Sequence, residues 1–286
     1  MSRRASAPAA VRWTAYVAVA IVFAIACAFL SNWQFTRNSA RAAQLALVEA
    51  NYDAPPVALS DVLAPDGALD PLDEWQPVEL VGEYLTDDQL LVRNRPHGGT
   101  AAFEVLVPIR LTDGRVVVLN RGWVPPGEHQ PDPDVVPGAP EGEVTVIARV
   151  RPGEAAPSGG RSADDGKVPN INLPIIADAV SPETAADLEQ GAYGIVVSED
   201  PAAATMPNAL EAPTEDPGPH LSYAIQWILF AIMGFIFIGY VIRTELRHRK
   251  EDAEDAAAGV TAPRRPAASP RRDRDAEDED ALLDAR

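Results

Sequence analysis

Two unbroken apolar runs stand apart from the rest of the chain. From Trp13 to Leu30 the sequence reads WTAYVAVAIVFAIACAFL, 18 residues without a charge, and from Tyr223 to Ile242 it reads YAIQWILFAIMGFIFIGYVI, interrupted only by the amide of Gln226. About 20 apolar residues in a helix cross a hydrocarbon layer of ~30 Å, so each run predicts a transmembrane helix. Trp13 and Tyr16 lie at one end of the first run and Trp33 just past the other, where aromatic rings favour the water–lipid boundary. A cleaved signal peptide has a core of roughly 7–15 residues and a small-residue cleavage site. The first run exceeds that length, and Ser31-Asn32-Trp33-Gln34 offers no such site.

Between the runs the period changes. Thr36–Asn51 is rich in Ala, Leu, Arg and Gln and predicts a helical extension of the first span. Alternation of apolar and polar positions then predicts strands at Trp75–Leu85, Gln89–Arg93, Phe103–Leu111, Arg115–Val124, Glu143–Val150, Ile171–Ile176 and Tyr193–Val197. Thr112-Asp113-Gly114-Arg115 predicts a tight turn between two of them. Val116-Val117-Val118-Leu119 is apolar at every position, as expected of a strand buried on both faces. A helix is expected over Pro182–Gln190, with Ser181 as its N-cap. The Pro-, Gly- and Asp-rich stretches Pro125–Glu141 and Pro152–Val168 read as loops. The expected fold is an α+β membrane protein, two transmembrane helices flanking one compact β-rich domain, barrel- or sandwich-like.

Charge sets the expected orientation. Arg3, Arg4 and Arg12 precede the first run, and Arg243, Arg247, Arg249 and Lys250 follow the second. Basic flanks stay in the cytoplasm. The expected layout is therefore a cytoplasmic N-terminus at 1–12, a span at 13–35, an extracytoplasmic domain at 36–219, a second span at 220–242 and a cytoplasmic tail at 243–286. The central segment carries 11 basic against 30 acidic residues, a net of −19. With −18 for the whole chain, nucleic acid is excluded as a partner, since its binding needs a basic surface. From Glu251 onward the tail has no apolar periodicity and is expected to be disordered.

Catalytic signatures are missing. The chain has one cysteine, Cys27, and four dispersed histidines, His97, His129, His220 and His248, so neither a disulfide framework nor a Cys/His metal spacing exists. No G-x-S-x-G, Walker or G-x-G-x-x-G motif occurs, and no nucleophile–base pair is evident. The expectation is a non-enzyme. Three constellations remain: Trp33-Gln34 with Arg37 after the first run; Leu119-Asn120-Arg121-Gly122-Trp123-Val124-Pro125 at the end of the apolar strand; and His220-Leu-Ser-Tyr-Ala-Ile-Gln-Trp227 at the entrance to the second run.

At 100° per residue His220, Ala224, Trp227 and Ala231 share one helix face, with Tyr223 beside it. The two alanines would leave a shallow slot for a flat group, and neutral imidazole is a common axial ligand for haem iron. A histidine that merely starts the helix in the headgroup zone is the plainer reading, favoured on these residues alone. Arg121 could pair with a propionate and Trp123 could stack on a ring. Equally, Arg121 could bridge to a local acid, with Gly122 permitting a bend in the strand. Trp33, Gln34 and Arg37 read first as interface anchors.

In this order, together with Gly82-Glu83-Tyr84 and Gly114-Arg115, these motifs resemble the Surfeit locus protein family over residues ~10–245. Asn32, where the family often has Gly, and Arg41, where Lys is common, depart from its pattern, and the acidic tail is additional. The resemblance implies a chaperone-like assembly factor for aa3-type cytochrome c oxidase in the plasma membrane that delivers haem a to the haem-bearing subunit. Haem a synthase is implied as a further contact. His220 would be the axial ligand, with Tyr223, Trp227, Arg121 and Trp123 around the cofactor. Two other roles compete: a scaffold that binds the oxidase or a respiratory supercomplex without touching haem, and a membrane-anchored extracytoplasmic sensor.

Overall fold

The structure, a computed structural model, describes residues 9–64, 67–97, 99–213 and 216–257. It has two compact units, one holding the segments up to Phe35 and from His220 onward, the other Thr36–Pro219.

The first unit contains most of helix α1 (Ala9–Asn51) and, at the far end of the chain, the long helix that opens at His220. Both helices are long and apolar enough to cross a membrane. Their contacts run in opposite directions. Arg12 and Trp13 meet Glu245 at one end, with Trp13 Nε1 donating to Glu245 Oε2 at 2.9 Å, and Ser31 and Gln34 meet Ala224 and His220 at the other. Apart from Gln34, the residues buried along the pair are small: Ala20, Cys27, Ser31 and Ala224. Without a hydrophobic drive inside lipid, helices associate by close backbone approach, which small side chains allow. The bulky residues Val19, Val22, Phe29, Ile236 and Phe237 all point outward. An apolar girdle of this size makes sense facing lipid, and the two helices anchor the chain in a membrane.

In the second unit α1 runs on to Asn51, as the Ala- and Leu-rich extension predicts. There follow β1 (Val57–Ala58), α2 (Leu59–Val62), β2 (Pro77–Tyr84), β3 (Leu90–His97), β4 (Thr100–Leu111), β5 (Val116–Val124), β6 (Glu143–Arg151), β7 (Lys167–Val168), α3 (Leu173–Ala179), α4 (Pro182–Ala186) and β8 (Tyr193–Asp200). The helix from His220 to Ala257 is α5.

Five strands close into a barrel. β2 pairs antiparallel with β6 and β6 with β8; β8 lies parallel to β5; β5 pairs antiparallel with β4; and β4 returns to β2 through Gly82–Leu111, Glu83–Arg110 and Tyr84–Ile109. Closure depends on Gly82, where an added Cβ would sit 2.2 Å from the Arg110 carbonyl oxygen. Closing the sheet removes two edges that would otherwise invite pairing with other chains.

Alternation sorts the side chains. Val144, Val146, Ala148 and Val150 of β6 point into the barrel with Val78, Leu80, Val105, Val107, Ile109, Val117 and Leu119. A second cluster lies outside the barrel, where Leu106, Val116 and Val118 are covered by Ile171 and by Leu173 and Ile176 of α3. The uniformly apolar Val116–Leu119 is thus buried on both faces, half toward each cluster. The Thr112–Arg115 turn is also as expected: Gly114 has φ 92° and its amide bonds Leu111 O at 2.9 Å.

Four expectations change. Ile171–Ile176 is the entry to α3 rather than a strand. Asn172 Oδ1 accepts from the Ile175 amide at 3.2 Å, and Pro174 suits the first helical turn. The helix begun at Ser181 stops at Ala186 because the next residues bond to β5: Val116 N donates to Asp187 O, and Glu189 N to Val116 O. Within the expected 152–168 loop, Lys167–Val168 pairs with β3. The helix of the second span continues through Glu251 to Ala257, supported by Arg247–Glu251 and Lys250–Glu254 pairs one turn apart. The rest of the tail expected to be disordered, 258–286, lies outside the described residues.

Asp88 ties the Ser181 cap to the strand side of the domain. It accepts from the Ser181 amide at 2.7 Å, the Ser181 hydroxyl at 2.8 Å and the Thr184 hydroxyl at 2.5 Å. Desolvation pushes its pKa up, but these three donors outweigh it and hold the carboxyl below its ordinary value. A depressed carboxylate stabilises the fold above its unfolded pKa of about 3.9, and that contribution is lost as pH falls through the lower folded value. Asp88→Asn is expected to lower stability by about 1 kcal/mol at neutral pH, a modest figure because the group is partly open to water. In chemical denaturation the gap between wild type and variant should narrow as pH falls below the ordinary carboxylate range; a gap independent of pH would contradict this role.

Candidate functional site

His220 is the first residue of α5 and is half-buried. Its Nδ1 lies 2.9 Å from Oε1 of Gln34, a buried residue of α1. An amide oxygen can only accept, so Nδ1 donates here, and Nε2 is the ring nitrogen this bond leaves unused. One turn on, Tyr223 is exposed; Trp227 is half-buried and meets Phe230 edge-on at 5.7 Å between centroids. Ala224 does not open a slot. It is fully buried, and its carbonyl accepts from the Ser31 hydroxyl of α1 at 3.0 Å. The small side chain serves helix–helix contact, and the expected gap beside it is filled by α1. His220, Gln34, Tyr223 and Trp227 therefore belong to one unit, at one end of the helix pair.

Arg121 and Trp123 belong to the other unit and have internal roles. Arg121 is 2 % exposed. Its Nε and Nη2 donate to the two oxygens of buried Glu199 at 2.7 and 3.0 Å, and Nη1 donates to Pro137 O at 3.1 Å. The Tyr84 hydroxyl donates to Glu199 Oε1 at 2.7 Å. Burial first, then the Glu199 charge and this hydrogen bond, raise the Tyr84 pKa far above its ordinary value, so the phenol stays a donor. This arrangement leaves Arg121 with no surface donor for a propionate; of the two readings open from the sequence, the bridge to an acid is the one seen. Gly122 supplies the bend. Its φ is 126°, and an added Cβ would lie 2.3 Å from Asn208 O, where the Trp123 backbone exchanges two 2.8 Å bonds with Asn208. The Trp123 ring stacks on His97, centroids 5.2 Å apart and planes 7° apart. His97 in turn contacts Glu104, which also accepts from Asn120.

From the sequence Gln34 reads as an interface anchor, and nothing marks Glu199. Polarity was the available signal for Gln34: an amide one helical turn inside a membrane-length helix needs a partner. For Glu199, one acid among many, no local signal existed. Among the described residues no cluster of three or more His, Cys, Asp or Glu side chains could hold a bare metal ion.

A family profile described as the SURF1 family matches residues 21–232 of this chain. The chain belongs to the SURF1 family. The matched span begins inside α1 and ends inside α5, so it includes both Gln34 and His220. An uncharacterised SURF1-like protein of Mycobacterium bovis is 33 % identical over 260 residues, covering 89 % of this chain and 90 % of that one. A SURF1-like protein of Mycobacterium tuberculosis strain H37Rv matches to the same extent. A SURF1-like protein of Monosiga brevicollis is 30 % identical over 140 residues, 44 % of this chain and 51 % of its own length. The resemblance read from the ordered motifs is therefore borne out.

Proposed function

We propose that this SURF1-family protein is an assembly factor for haem-copper cytochrome c oxidase, and that it holds haem a through Nε2 of His220 before passing it to the haem-bearing subunit. The observation that carries the reading is the His220–Gln34 hydrogen bond. With Nδ1 given to an amide acceptor, Nε2 is the ring nitrogen left to coordinate a metal, the arrangement by which metal-binding histidines are commonly oriented. Tyr223 and Trp227 on α5 offer an aromatic flank for an apolar macrocycle. When held, haem a contributes one axial coordination bond and no reaction, so the protein works as a carrier and not as an enzyme. A single histidine ligand suits a carrier, which has to release what it holds.

The topology goes with this role. The basic residues flanking both spans favour cytoplasmic termini and an extracytoplasmic barrel, placing His220 at the outer membrane interface. The barrel is then free to contact oxidase subunits or haem a synthase. Because Arg121 and Trp123 are engaged internally, the barrel residues singled out from sequence do not add to haem binding. That observation is what a scaffold that never touches haem would also present. Purifying the chain in detergent from cells that synthesise haem a separates the two. The carrier shows a Soret band at near one haem per chain; a scaffold co-purifies with oxidase subunits and has no such band.

Gln34→Leu is expected to weaken haem a retention by about 10-fold or more, since loss of the orienting partner of a metal-binding histidine typically costs 10–100-fold. Gln34→Glu, which keeps an acceptor, should retain the cofactor. Haem-to-protein ratio after a fixed detergent wash measures both; equal retention in all three proteins would remove Gln34 from the account.

A further inference from the structure

Outside the barrel wall, beside β6 and β8, the second unit has a cavity of about 370 Å³ that the haem reading does not use. Tyr193 opens β8 and lines it. The residue is 6 % exposed, and its hydroxyl, which bonds to no side chain or backbone group among the described residues, is open to solvent and not sealed in the wall. Burial, ahead of opposing influences from nearby charges, pushes its phenol up to about 12, so the group is a proton donor at neutral pH. Arg151 sits directly across the ladder from Tyr193. Its guanidinium lies over the Trp75 ring at 3.9 Å, and its one ion pair is Nε to Glu74 Oε1 at 2.9 Å, too poorly aligned to satisfy that buried nitrogen. Its terminal nitrogens have no acceptor among the described residues.

The other charges around the cavity are largely committed. Arg95 pairs with Glu154 through Nη2 at 2.5 Å and lies 3.3 Å from Glu104 through Nε, a buried nitrogen that, like that of Arg151, completes no hydrogen bond. Glu104 also takes His97 and Asn120, and Glu154 takes the Ile171 amide. Arg149 stacks on Tyr52 at 3.5 Å and bonds the Tyr52 carbonyl at 2.6 Å, with Asp53 at 3.4 Å. Glu211 is the remaining carboxylate, exposed at the rim, where water and salt screen it. What is left over at the cavity wall is a set of donors, the Tyr193 hydroxyl and the Arg151 guanidinium, between two aromatic rings and the apolar side chains of Ile195 and Leu210. Of these donors Arg151 Nε is buried without a well-aligned acceptor, which is costly, and a guanidinium fork matches a carboxylate.

We propose that this cavity binds a small molecule that joins a carboxylate to a flat apolar body, the carboxylate accepting from Tyr193 and Arg151 and the body lying against Tyr52 and Trp75. The site is independent of His220. Benzoate is the probe, titrated into the detergent-solubilised full chain and followed by tryptophan fluorescence and saturation-transfer NMR; benzamide and inorganic phosphate are the controls. Saturable benzoate binding is expected, at least about 10-fold tighter than benzamide and than phosphate, from the charge-assisted bonds and the stacked ring respectively. Tyr193→Phe removes only the hydroxyl and should weaken benzoate about 10-fold with the unfolding temperature unchanged or raised; Arg151→Gln should weaken it at least as much. No saturable binding, benzamide or phosphate equal to benzoate, or affinity indifferent to both substitutions would overturn the proposal and leave the cavity to water.

Discussion

Replacing Arg121 with methionine is expected to destabilise the barrel by about 3–5 kcal/mol, the usual consequence of removing one partner from a buried ion pair. Both members are sealed from water, with no exposed side-chain surface on either, and Glu199 accepts from Arg121 twice and from Tyr84 once. In the variant one buried carboxylate keeps only the phenol as a donor. It has either to stay charged in an apolar interior or to take up a proton against its ordinary pKa, and both cost stability. For a unit of this size that corresponds to a fall of roughly 6–20 °C in unfolding temperature, followed by near-ultraviolet circular dichroism so that the helices do not dominate the signal. Removing both charges together, Arg121→Met with Glu199→Leu, should recover most of the loss, because a buried pair exchanged for apolar side chains is often neutral. A double variant as unstable as the single one would show that the pair does more than neutralise itself. Neither protein should lose haem a retention while folded, which distinguishes this outcome from a propionate-binding role for Arg121.

His220→Ala is expected to do the reverse: abolish haem a retention and leave the fold nearly unchanged. Axial coordination is the one bond the account assigns to the cofactor, so the Soret band should fall at least about 10-fold relative to wild type, as loss of even an outer partner of a metal ligand costs that much. The ring is half-buried and bonded to one amide, so its removal should cost about 1 kcal/mol or less of stability. A variant that unfolds, or one that keeps its haem, contradicts the assignment in different ways.

Elements with a strong period were legible. Both long apolar helices and the doubly buried Val116–Leu119 follow from the run of apolar positions, the α1 extension from helix propensity, and the Thr112–Arg115 turn from its Asp-Gly pair. Where a local hydrogen bond decided, pattern reading failed. At Ile171–Ile176 the Asn172 cap turned an alternating stretch into a helix, and at Asp187–Glu189 pairing with Val116 ended one early. The site divides in the same way. His220 stood out by residue type and position, whereas its partner lies 186 positions away, a separation no local pattern reports. Arg121 stood out too, but its role depended on Glu199, 78 positions along the chain. The alanines beside His220 suggest a shallow slot, but at Ala224 the other helix fills that space.

Resonance Raman spectroscopy of the chain purified from haem a-synthesising cells reads the proposed His220–iron bond itself. Coordination by His220 predicts an iron–histidine stretching band in the reduced protein that shifts when histidine alone is labelled with nitrogen-15 and disappears in His220→Ala. A band that persists in His220→Ala, or reduced haem with no label-sensitive band at all, would contradict it.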